Sequence, residues 1–164
     1  MNKKLLVAAV VCAVAVCVAV ALPTLRKHDG ALADTVSDHV FHERSKTFAS
    51  THDAPKSGDG EGQFVLPGWV PEDVTNIEEK IQTDGGGKLL RFTLGDDPLK
   101  LDAKDCVGGA FNERPSLDAD WWADDVKADS AKVDCTEEFQ FRVAVKGHEA
   151  YAWTNGARSD GIED

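Results

Sequence analysis

Basic residues are in short supply in this chain: 18 Lys and Arg stand against 29 Asp and Glu, a formal net charge of −11 over 164 residues. Phosphate backbones are held by basic faces, so this balance argues against a nucleic-acid partner, and equally against charge-driven docking on anionic lipid. Histidine is scarce where a catalyst would need it: beyond His52 only His148 remains. Nucleophilic catalysis requires an activated nucleophile with a base in reach. The chain has no GxSxG elbow, no HExxH pair and no Gly-Lys-Ser/Thr phosphate loop. No catalytic residue, metal site or cofactor is assigned, and an enzyme is the less favoured class. Paired carboxylates of a hydrolase remain the alternative, but 23 acidic residues between 61 and 164 make accidental pairs inevitable.

One long apolar run is present. Residues 5–22, opening on Leu5 and closing on Leu22, read LLVAAVVCAVAVCVAVAL without a charge. As a helix this segment spans about 27 Å, close to the hydrocarbon thickness of a bilayer. It exceeds the usual apolar length of a cleavable signal, so an uncleaved anchor over residues 1–28 is expected. Secretion after cleavage near Ala21 is the alternative, since Ala19 and Ala21 offer a small-x-small pattern. Lys3 and Lys4 on one side are matched by Arg26 and Lys27 on the other, so flanking charge does not orient the segment.

Cysteine supplies the orientation. Cys12 and Cys17 belong to the run, leaving Cys106 and Cys135 as the pair in the rest of the chain. Two cysteines in a small acidic exported-looking domain read most simply as a disulfide, which requires an oxidising compartment. The expected placement is therefore the cell membrane, with the N-terminus cytoplasmic and the C-terminal domain outside.

Residues 29–62 are rich in small, polar and charged types and lack sustained periodicity, so they read as a disordered tether with a possible short helical stretch around Val36 to Phe41. His39, His42 and Glu43 have helical ligand spacing but no further fixed partner, and read as solvated. Residues 63–155 form the expected folded domain, and 156–164 an acidic disordered tail. Within the domain, FQFRVAVK (139–146) alternates apolar and polar residues as a half-buried strand does. Residues 76–83 and 88–94 flank Asp84-Gly85-Gly86-Gly87, a hairpin whose count pairs Ile81 with Leu90 and Ile77 with Leu94. A second hairpin turns near Gly147-His148. A two-residue turn there puts Tyr151 and Trp153 opposite Val143 and Val145, whereas a three-residue turn gathers all four on one face. The fold class expected is α+β leaning mainly β: antiparallel hairpins with short helical turns, after one N-terminal transmembrane helix.

The blocks VLPGWVPEDV, IQT, LLRFTLG, LDADWW and FRVAVKGHEAYAWT, with Cys106 and Cys135, resemble small membrane-anchored exported proteins of high-GC Gram-positive bacteria. The resemblance covers about residues 64–154. It implies an anchor and one exported domain, and no activity, cofactor or catalytic residue.

The densest cluster of chemistry is Asp118, Asp120, Trp121, Trp122, Asp124 and Asp125. A calcium loop fails here, since Trp122 stands where a third ligand belongs and the required glycine is missing. Tryptophan faces can stack on sugars while carboxylates accept hydroxyl hydrogen bonds, so a cell-wall glycan or another envelope protein is the candidate partner. The competing reading is a short acidic helical turn with one tryptophan buried and the other lying on the surface.

Overall fold

A computed structural model of the protein describes residues 42–55, 62–104, 106 and 113–159, all within one compact unit, His42–Asp164. The candidate membrane segment and the helical stretch expected around Val36 to Phe41 lie outside the described residues. Among those residues, no helix is long and apolar enough to cross a membrane.

Six strands form one antiparallel sheet: β1 (Glu43–Ser50), β2 (Thr75–Gln82), β3 (Gly87–Thr93), β4 (Lys132–Asp134), β5 (Phe141–Lys146) and β6 (Glu149–Asn155). Their order across the sheet is β1-β2-β3-β6-β5-β4. The domain is mainly β, and among the described residues its helical content is limited to single 3₁₀ turns at Thr51–Asp53, Gly62–Phe64 and Ala128–Ser130. Residues 118–126, expected as a short helical turn, form two successive turns closed by Trp122 N–H to Ala119 O and Val126 N–H to Ala123 O.

Strand β1 corrects the tether expectation: residues 43–50 pair along β2 from Glu43–Gln82 to Ser50–Thr75. The strand escaped notice because ERSKTFAS offers only Phe48 as a large apolar anchor, as befits an edge strand facing water on one side. The tail expectation is corrected as well. Phe139 bridges Arg158, Gln140 donates to the Ala157 carbonyl, and Ser159 is buried.

The β2–β3 hairpin forms as expected, but Ile81 faces Lys88 and Glu79 faces Leu90. Its loop is one residue nearer β2 than the glycine run suggested. The register moves by two, so side chains keep their faces. The physical constraint is Gly86: a Cβ there would lie 2.6 Å from Gly156 Cα and 2.8 Å from Phe139 Cε1, so the loop packs where only glycine fits. The β5–β6 hairpin uses the two-residue turn, with Lys146 facing Glu149 and Gly147 at φ +63°. Tyr151 and Trp153 therefore lie opposite Val143 and Val145.

That alternation gives the sheet two apolar faces. On the first, Phe48, Ile77, Ile81, Leu90, Phe92, Phe141 and Val143 pack under Phe64, Trp69 and Val74 from the β1–β2 connection. On the second, Leu89, Ala144 and Trp153 pack under Leu117 and the partly buried Ala119, Trp121, Trp122 and Val126. The β3–β4 connection supplies cover to both faces, with Leu99 and Leu101 on the first and residues 117–131 on the second. It is fastened at β4 by the Cys106–Cys135 disulfide, with Cα atoms 5.4 Å apart. Beside it the fully buried Asp134 carboxylate accepts from the backbone N–H groups of Asp102 (2.8 Å) and Thr136 (3.1 Å) and from the Thr136 hydroxyl (2.7 Å).

Candidate binding surface

The Asp118–Asp125 cluster belongs to a strap, residues 113–131, laid across the second face of the sheet. Donors from three strands hold its main chain, and a fourth strand holds a side chain. On β2, Lys80 pairs with Glu43 of β1 at 2.8 Å and donates to the Asp118 carbonyl. On β3, Arg91 pairs with Glu78 and donates to the Trp121 carbonyl at 3.1 Å. On β6, Trp153 Nε1 donates to the Glu113 carbonyl (3.1 Å), while the Asn155 amide donates to the Arg114 carbonyl (2.8 Å) and accepts from Ser116 N–H (2.9 Å). On β5, Lys146 pairs with Asp125 at 2.8 Å. The side-chain hydrogen bond from Lys146 holds the Asp125 carboxyl below its ordinary range and raises the Lys146 ammonium.

The two tryptophans do not divide into one buried and one surface ring. Both are half-buried, with ring centroids 6.0 Å apart. Because they sit in a turn rather than a helix or strand, both rings lean toward the sheet. Trp122 meets Trp153 edge-on at 5.8 Å and Tyr151 at 5.4 Å. The Arg91 guanidinium lies 5.8 Å from the Trp121 ring centroid. The fully buried indole of this face is Trp153. Such aromatic contacts fix ring orientation and contribute beyond their buried area.

Around this ledge Asp118, Asp120, Asp124 and Asp125 are exposed, with Asp125 held toward Lys146. Tyr151 hydrogen-bonds Glu149 at 2.7 Å, and burial first, then that carboxylate, raises its phenol. The surface thus offers two fixed indole edges bordered by acceptor oxygens. Such an arrangement can accept hydrogen bonds and pack against flat apolar faces.

The histidines fall elsewhere. His148 is exposed in the β5–β6 turn, and His42, also exposed, has Nδ1 3.9 Å from Asp84. Among the described residues no group of three or more His, Cys, Asp or Glu side chains could hold a metal ion. One chemically distinctive pair was missed. Glu79 is fully buried on the first face, 2.7 Å from Lys88 Nζ, which also donates to the carbonyls of Gln63 (3.0 Å) and Val65 (3.2 Å). Burial pushes the Glu79 carboxyl up to about 7, against the opposing pull of Lys88. The sequence held the signal: Glu79 shares strand parity with Ile77 and Ile81, so it had to enter the core.

Compared with protein-family models, curated proteins and solved structures, the chain matches none.

Proposed function

We propose that this chain is a single-pass, membrane-anchored protein whose domain faces the outside of the cell and binds cell-wall glycan through the Trp121–Trp122 ledge. The observation that carries the reading is the fixed, partly exposed state of both indoles, with the carboxylates of Asp118, Asp120 and Asp124 exposed around them. Sugars present apolar C–H faces and hydroxyl donors together, and this surface offers the complement of both. Rigid rings bind at low entropic cost, because their rotamers are already fixed. The Cys106–Cys135 disulfide supports an oxidising compartment, and the apolar run of residues 5–22 supports the anchor.

The test is retention of the full-length protein, in detergent, on purified insoluble cell wall. Trp121→Ala should leave folding intact and weaken retention at least about tenfold, the effect of losing roughly 1.4 kcal/mol of binding. Retention equal to that of the unaltered protein would overturn the glycan reading. Release of soluble sugar during the incubation would instead identify a hydrolase.

A further inference from the structure

On the opposite face of the sheet from the tryptophan ledge, the 65–70 loop packs on the core through Leu66, Trp69 and Val70. The 65–70 loop stands between two clefts there, of about 550 Å³ and 480 Å³, and Glu137 lines both. The loop reaches Glu137 through Gly68, whose N–H donates to Glu137 Oε1 at 2.7 Å. Any side chain at position 68 would start 3.2 Å from that oxygen, so glycine permits the close approach.

The larger cleft has two kinds of wall. Trp69, Val70, Pro71 and Pro98 supply apolar surface, while Glu72, Asp97 and Glu137 supply carboxylates. Lys100 is the one cation among its lining residues. In the neighbouring cleft Lys88 is paired with buried Glu79 and Glu138 with Arg158 at 2.8 Å, so Glu137 is the carboxylate the two clefts share. With three carboxylates against Lys100, the larger cleft favours a cation. A bare metal ion would leave a space this large mostly empty. A lysine or arginine side chain suits it better, because its aliphatic stem packs on apolar walls while its charged head stays at the acidic rim.

A second, independent feature separates a peptide from a simple amine. Trp69 lines the larger cleft and is 6% exposed, and its indole N–H is buried with no acceptor among the described residues. A buried donor left without a partner is costly, and an acceptor that reaches it where the 65–70 loop gives way relieves that cost. A peptide main chain brings carbonyl acceptors alongside its cationic side chains; a polyamine brings donors only. We propose that this cleft binds a lysine- or arginine-bearing peptide segment of a partner protein, its cation among Glu72, Asp97 and Glu137 and a main-chain carbonyl on the Trp69 indole.

The experiment uses full-length protein in detergent and three probes: a blocked hexapeptide alternating Lys and Val, the same peptide with Glu for Lys, and spermidine. Binding is read by calorimetry, and the Trp69 indole N–H by nitrogen-edited NMR. The Lys-Val peptide should bind and move the Trp69 indole proton downfield. Glu137→Gln keeps an acceptor for Gly68 N–H while removing the charge, and together with Asp97→Asn it should weaken binding at least about tenfold. The unaltered indole spectrum of the peptide-free double variant certifies that the fold is kept. Equal binding of the Glu peptide, or spermidine binding as tightly as the Lys peptide, would overturn the proposal. So would the absence of binding at about 1 mM Lys-Val peptide, where even a weak specific site is half filled. Because the tryptophan ledge is on the other face, Trp121→Ala should leave this binding unchanged, and the two readings fail separately.

Discussion

Glu79 shows how one side chain sets a dependence on pH. Its carboxyl rises from the ordinary 4.5 to about 7 because burial disfavours the charged form more than Lys88 restores it. Lys46 is its cross-strand neighbour on β1, with its ammonium 5.3 Å from the Phe64 ring centroid. The folded state therefore holds the Glu79 proton in a range where the unfolded chain has lost it. Between pH 4.5 and about 7 this group makes stability fall as pH rises, and above that range its effect is constant. The amplitude is on the order of 3 kcal/mol. Glu79→Gln should remove this component. Denaturant unfolding of both proteins at pH 5 and pH 8 checks it: the variant should gain relative to the unaltered protein at the higher pH. A constant difference between the two proteins would mean that Glu79 does not titrate in this range.

The strap of residues 113–131 has a single 3₁₀ turn, Ala128–Ser130, as its regular secondary structure, so its order depends on side chains beneath it. Asn155 is its clasp, donating to the Arg114 carbonyl and accepting from Ser116 N–H. Asn155→Ala leaves two strap groups without those partners and should cost roughly 1–3 kcal/mol. Hydrogen exchange locates the loss: Ser116 and Trp122 amides should exchange faster, while Leu90 and Ala152 amides in the central strands stay protected. Uniform acceleration across the sheet would show that the strap is part of the global folding unit rather than a separately opening one. The hairpins tell a complementary story. Period-two alternation identified β5, while the Asp84–Gly87 and Gly147-His148 turn signals identified β2, β3 and β6 as hairpin partners. Register needed more, since Gly85, Gly86 and Gly87 are alike locally and only the contact of Gly86 with Gly156 and Phe139 selects the loop.

At the scale of the whole molecule, the described unit is a single sheet covered on both faces by its own connections, with the disulfide fastening the longest of them at β4. On the proposed topology, with the 5–22 segment as anchor, the domain should be accessible from outside the cell. A membrane-impermeant protease added to wall-stripped cells should remove the domain and leave a small N-terminal fragment in the membrane. Complete protection in intact cells would reverse the proposed orientation. Recovery of the domain only from the medium would mean cleavage near Ala21.

The sequence by itself determined what depends on local pattern: the hairpins, the mainly antiparallel β class and the cysteine pair. It also placed Glu79 on the apolar side of β2, through a parity that anyone counting from Ile77 would find. Tertiary structure decided what depends on residues far apart in the chain. β1 has too little apolar surface to declare itself, and becomes a strand because β2 offers an edge of unpaired hydrogen-bonding groups. Residues 157–159 are ordered by Glu138, Phe139 and Gln140, not by their own composition. Trp121 and Trp122 share one side because Trp153, some thirty residues on, provides the ring on which Trp122 rests, while Arg91 fixes the carbonyl of Trp121. Local periodicity records which face a residue takes; only the assembled sheet determines what it meets there.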